Sequence, residues 1–121
     1  MSEETVTKFA QTLAKLLERP EAWAYIAGTE PAIERRVRTG NDPTGYMLQL
    51  SFDDELMLAT VIIKGPGYMH IWHRFSSEDS FLLGKRLQVC IRDAKKKHLD
   101  NKKKVTIAAF DKLQPLLENL I

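Results

Sequence analysis

The feature that most constrains the fold is the stretch from residue 46 to residue 75, where two short turn signals separate three strand-like segments. In residues 46–52, large apolar side chains occupy every second position, which is typical of a half-buried strand. Residues 56–63 are apolar on both faces, which predicts a central strand covered on both sides of the sheet. After Gly65-Pro66-Gly67, residues 68–75 return as a third strand. The sequence therefore predicts an antiparallel β-meander.

Residues 31–38 are ambiguous because Ile33 and Val37 suit one face of either a helix or a strand. We interpret them as a fourth strand at an exposed sheet edge, which Arg35, Arg36 and Arg38 would suit. Residues 39–45 have the composition of a loop. The expected sheet has three or four strands.

Helical patterns flank the meander. Ser2 is a candidate N-cap for an amphipathic helix that Pro20 ends, and residues 21–27 predict a short second helix closed by Gly28. Ser76 and the acids that follow it predict the start of a long basic helix, which residues 98–101 are expected to end. Its expected buried stripe consists of Leu83, Leu87, Cys90 or Ile91, and Ala94. The fold class is α+β, with a meander packed between N-terminal helices and this helix.

The C-terminal residues allow two interpretations. Residues 104–109 suit a further strand followed by a last helix, or residue 102 onward suits one helix interrupted by Pro115. Both interpretations place the same apolar residues in the core: Phe110, Leu113, Leu116, Leu117 and Leu120.

Length and composition set outer bounds. The 121 residues fit a single domain, 1–121. The single cysteine, Cys90, excludes an intrachain disulfide and favours a reducing compartment. The acidic N-terminus and the lack of a membrane-length apolar run lead us to expect a cytoplasmic protein that does not bind membranes.

The charge is strongly uneven. Residues 1–84 carry 8 basic and 12 acidic residues, a net of −4, whereas residues 85–121 carry 10 basic and 4 acidic residues, a net of +6. Such a basic segment predicts phosphate contacts to nucleic acid, DNA or RNA. The candidate binding residues are Lys85, Arg92, Lys95, Lys96, Lys97, Lys102, Lys103 and Lys104. The alternative is a solvated helix face whose C-terminal lysines complement the helix dipole.

Aromatic residues in the last strand suggest a second surface. Tyr68 and Trp72 fall on one face together with His70 and Arg74, and such a face can stack single-stranded bases. The alternative is that Tyr68 and Trp72 pack beneath the N-terminal helices.

No catalytic signature is present. His70 and His73 are three apart, so on a strand they diverge, and we expect no metal site and no cofactor. Phosphate-binding loops, nucleophile elbows and paired-cysteine motifs are absent. We therefore expect a small non-catalytic binding protein, with nucleic acid as the leading partner. The alternative is a protein-interaction module (inhibitor, adaptor or small chaperone) that docks on an acidic protein surface, or a homodimer whose seam uses the apolar segments 9–17 and 110–121.

Overall fold

The computed structural model describes residues 3–28, 30–38, 40 and 45–121. The expected cap at Ser2 and most of the expected loop at 39–45 lie outside these residues. Helix α1 (Glu3–Leu16) is followed by a five-stranded antiparallel sheet and helix α2 (Ser77–Glu118). The strands are β1 (Ala24–Ile26), β2 (Ala32–Val37), β3 (Tyr46–Asp53), β4 (Leu58–Gly65) and β5 (Met69–Arg74), and they lie in the sheet in chain order. The predicted α+β class is confirmed.

The meander is confirmed, but the N-terminal edge of the sheet differs from prediction. Instead of a second helix, the chain makes one 3-10 turn at Pro20–Ala22 and then forms β1, which pairs with β2. β1 is therefore the edge strand, and β2 lies inside the sheet between β1 and β3. The segment was misassigned because a three-residue strand leaves almost no periodic signal, and its state is decided by pairing with β2.

One face of the sheet carries the core. Leu48, Leu50 and Phe52 of β3 lie opposite Ile63, Val61 and Ala59 of β4, and all six lie beneath the helices or at the margin of the core. The expectation that both faces of β4 are covered by helices is wrong. On the outer face, Ile62 and Thr60 lie beside Trp72 and Arg74 of β5, and Arg74 Nε donates a hydrogen bond to Thr60 Oγ1 at 3.4 Å. Cross-strand neighbours, rather than a second helical layer, cover these residues.

The first half of α2 packs on the core as predicted. Ser76 caps the helix by accepting a hydrogen bond from Asp79 N, and Leu83, Leu87, Cys90 and Ala94 are buried. The completely buried Ser80 hydroxyl accepts from Ala59 N at 2.9 Å and donates to Phe75 O, so it fastens the helix start to β4. Arg86 Nη1 donates to Ala14 O and forms an ion pair with Glu18, which fixes α2 against α1.

The second half of α2 differs most from prediction. Residues 98–101 do not end the helix. Of the two interpretations of the C-terminal residues, the helical one is correct: no strand forms at 104–109, and α2 continues to Glu118 without interruption at Pro115. Its 42 residues span about 63 Å, whereas a strand of 8 residues spans about 27 Å. The helix is therefore much longer than the sheet on which it packs. The five apolar residues that were assigned to the core are all exposed: Phe110, Leu113, Leu116, Leu117 and Leu120.

Candidate interaction surface

Residues 95–121, here called the C-terminal arm, are all exposed, and near the start of the arm the His98 ring lies against Tyr25 of β1 with the ring centroids 5.4 Å apart. The large apolar side chains of the arm include Leu99 at 51%, Val105 at 70%, Phe110 at 66% and Leu120 at 81% exposure. Monomeric proteins rarely leave contiguous apolar surface of this extent uncovered. Within the described residues, the arm is therefore the segment whose apolar surface is least covered by its own chain.

The apolar residues of the arm follow a heptad spacing. Phe110, Leu113, Leu117 and Leu120 are separated by three, four and three residues. This spacing places the first three on one side of α2, and Leu120 follows in the turn after the helix ends at Glu118. The same spacing extends back along α2 to its first turns. We call this series the α2 seam: Leu82, Lys85, Val89, Arg92, Lys96, Leu99, Lys103, Thr106, Phe110, Leu113, Leu117 and Leu120.

The start of α2 carries a second apolar patch on the exposed side of the helix. Phe81 is 88% exposed, Leu82 43% and Val89 36%. Phe81 and Leu82 border an open groove against Leu56 and Met57 of the β3–β4 turn. The α2 seam thus has apolar residues near both ends and cations between them. Sequence reasoning missed this seam because Leu82 and Val89 lie outside the buried stripe, although their heptad spacing to Phe110 was visible.

The cations predicted to bind nucleic acid are all exposed, but they do not form one face. At 3.6 residues per turn, Lys85, Arg92, Lys96 and Lys103 share the side of the α2 seam. Lys95 and Lys102 flank that side, and Lys97 and Lys104 point away from it. Among the described residues, Arg92 makes only a 4.0 Å contact with Asp93, and none of these lysines forms an ion pair. Positive charge therefore surrounds the middle of α2.

The two aromatic residues predicted to stack bases do not lie beneath the N-terminal helices. Trp72 lies on the outer face of the sheet and is 58% exposed, with the Arg74 guanidinium 5.6 Å from its ring centroid. Tyr68 belongs to the β4–β5 turn, where its φ is 62° and its side chain is fully exposed. Because α2 covers the inner face, the sheet separates Trp72 from the cations of α2.

The histidines and the cysteine do not form a reactive centre. His70 lies on the outer face beside Lys64, whereas His73 lies on the inner face with its ring edge against Phe75. No cluster of three or more potential metal ligands occurs within residues 3–28, 30–38, 40 and 45–121. Burial, together with the carboxylates of Asp93 and Glu21, raises the pKa of Cys90 to about 11, so its thiol is a poor nucleophile at neutral pH.

Searches for similar protein families, curated proteins and solved structures find no match to this chain. In the part of the chain that the structure describes, neither helix combines the length and hydrophobicity needed to cross a bilayer. An assignment of function therefore depends on the surface of α2 and on the open face of the sheet.

Proposed function

We propose that this chain is a non-catalytic protein-interaction module that holds its partner along the α2 seam. One observation carries the proposal: apolar side chains at heptad spacing on the C-terminal arm are exposed to water. Burying a leucine or phenylalanine side chain contributes about 1.5–3 kcal/mol, so a partner that covers four of them gains several kcal/mol.

The charge of the apolar segment favours a protein partner over a lipid surface. Residues 105–121 contain Lys112 against Asp111 and Glu118, a net of −1. Helices that lie on membranes carry many lysines and arginines on their polar face. A helix with a heptad apolar stripe and a nearly neutral polar face is typical of helix–helix association.

An affinity capture experiment tests the proposal. The bait is the wild-type chain, and the test variant is Leu113→Asp/Leu117→Asp, which places two carboxylates in the stripe. The expected result is a defined set of captured proteins, including this chain itself, that is lost with the variant. Equal capture by the wild type and the variant would refute a role for the seam.

A matched control separates the stripe from general charge effects. Asn101→Asp/Ala108→Asp adds the same two negative charges on the side of the arm that faces away from the seam. Both variants change only exposed positions, so circular dichroism is expected to report an unchanged fold. The control variant is expected to capture the same proteins as the wild type.

A second candidate function is nucleic-acid binding, and the observation that favours it is the exposure of all eight candidate binding cations on α2. Lysines around an exposed helix can neutralise phosphates while reading little base sequence, because base contacts rather than phosphate contacts specify sequence. Tyr68 and Trp72 remain exposed for base stacking, although on a different side of the molecule.

Fluorescence anisotropy tests this second function with labelled single- and double-stranded DNA and RNA. Binding through phosphates is expected to weaken steeply as salt rises. Replacement of Lys95, Lys96 and Lys97 by Glu is expected to abolish such binding and leave the fold intact. Unchanged affinity in that variant, or no binding at low salt, would remove nucleic acid as a partner.

A further inference from the structure

We propose that the partner of the α2 seam is a second copy of this chain, packed antiparallel so that the two-fold axis lies level with residue 101. This inference rests on the proposed function, because it names the occupant of the same surface. In the dimer, the C-terminal arm of each copy would lie along the start of α2 in the other copy.

The register follows from the positions of the two apolar patches. An antiparallel pair centred at residue 101 brings Leu120 of one copy opposite Leu82 of the other, and Leu113 opposite Val89. Each contact occurs twice, as an isologous two-fold interface requires. The apolar patch at the start of α2 and the patch at its end therefore cover each other. A different protein would have to match both patches and the spacing between them.

Charge along the seam favours the antiparallel orientation over the parallel one. A parallel pair in register would stack Lys85, Arg92, Lys96 and Lys103 each against its own copy, which gives four layers of like charge. In the antiparallel register, the seam contains no layer of like charges. Arg92 then lies opposite Phe110, where its guanidinium can contact the ring face, and Lys85 lies opposite Leu117.

The body of each copy leaves room for the partner helix. The core-facing stripe of α2, Leu83, Leu87, Cys90 and Ala94, lies about 150° around the helix from the seam. Arg86 contacts α1 on the flank between them. Seam residues in the packed half of α2, including Lys85 and Arg92, remain exposed. A second helix can therefore lie along this side without displacing α1 or the sheet.

The apolar area suits a stable dimer. Ten large apolar side chains on or beside the seam expose between 36% and 107% of their surface in the single chain: Phe81, Leu82, Val89, Leu99, Phe110, Leu113, Leu116, Leu117, Leu120 and Ile121. At roughly 100 Å² each, they offer on the order of 1,000 Å² per copy. A standard interface buries about 800 Å² per partner.

Pairwise cysteine cross-linking tests the register. The variant Leu82→Cys/Leu120→Cys is made with Cys90 replaced by Ala. Within one chain, the part of α2 between Leu82 and Glu118 alone spans about 54 Å, so the two cysteines cannot bond to each other, since bonded cysteines have Cα atoms less than about 7 Å apart. In the proposed dimer they face each other twice. The expected result is a covalent dimer on mild oxidation or with a short bifunctional maleimide.

Single-cysteine variants provide the matched controls. Leu82→Cys alone and Leu120→Cys alone are expected to give little covalent dimer, because each faces a leucine of the partner. Efficient cross-linking of either single variant would indicate a parallel pair and overturn the inference. Absence of cross-linking in the double variant would overturn it as well.

Light scattering across a concentration series tests whether the partner on the α2 seam is a second copy of this chain. The expected mass rises from the chain mass of 13.9 kDa to twice that value between low micromolar and several hundred micromolar. Leu113→Asp/Leu117→Asp is expected to stay monomeric, and Asn101→Asp/Ala108→Asp to dimerise like the wild type. A strictly monomeric wild type would overturn the second copy as occupant. The proposed function would then depend on whether other proteins are captured by the wild type and lost with the Leu113→Asp/Leu117→Asp variant. Failure of the dimer and failure of the proposed function are therefore distinguishable.

Salt dependence supplies an independent readout. The proposed axis places Lys95–97 and Lys102–104 of both copies within about 9 Å of residue 101 along the helix. Their mutual repulsion is screened by salt, so dimerisation is expected to strengthen as ionic strength rises. Dimerisation that instead weakens steeply with salt would contradict this placement of the lysines.

Discussion

A comparison of two leucines on the same helix tests whether the C-terminal arm lies outside the core. Leu87, on the core-facing side of α2, is completely buried, whereas Leu117 is 53% exposed on the arm. Leu87→Ala leaves a cavity among core side chains and is expected to lower the free energy of unfolding by about 2–5 kcal/mol. That is a large fraction of the roughly 5–15 kcal/mol that stabilises a typical domain.

Leu117→Ala is expected to change the free energy of unfolding by no more than about 0.5 kcal/mol in the isolated chain. The side chain leaves no cavity behind, and alanine favours helix at least as well as leucine. Urea denaturation followed by circular dichroism measures both values. Low micromolar protein is used so that association contributes little to the measured stability.

The placement of the arm outside the core is refuted if Leu117→Ala lowers the free energy of unfolding in dilute solution as much as Leu87→Ala does. That result would mean that the arm folds back and Leu117 is buried in its own chain. If instead the cost of Leu117→Ala appears only as protein concentration rises, the leucine is buried between chains, because association stabilises the folded state by mass action.

Three further predictions concern the body. Ser80→Ala leaves Ala59 N–H buried without its acceptor and is expected to lower the free energy of unfolding, measured by urea denaturation, by about 1–3 kcal/mol. A decrease below about 0.5 kcal/mol would contradict the role of Ser80 as a bridge between α2 and β4. Burial raises the pKa of Cys90 from 9.0 to about 11, so the thiol loses its proton more easily in the unfolded chain than in the folded one. The free energy of unfolding is therefore expected to fall as pH rises from about 9 to 11. Melting curves recorded across this pH range measure the fall, and Cys90→Ala should make it smaller. Acrylamide is expected to quench Trp72 on the open sheet face much more than the buried Trp23, so Trp72→Phe, not Trp23→Phe, removes the accessible emission.

Local periodicity predicted much of the body. The alternation around Leu48 and Leu50 determined the inward face of β3, and the hydroxyl of Ser76 marked the start of α2. The burial of Leu83 and Leu87 followed from their spacing alone. Each of these features depends on neighbours within a few residues, so the sequence by itself was sufficient to predict it.

The tertiary structure decided what depends on distant partners. Ala24–Ile26 becomes a strand because β2 lies beside it, and the outer sheet face stays open because neither helix packs there. The candidate interaction surface also could not be predicted from local sequence patterns. Phe110 and Leu117 have the spacing of buried helical residues, but the spacing is identical whether their own sheet or another chain covers them. Only the length of α2 relative to the sheet revealed that these residues lie beyond the core.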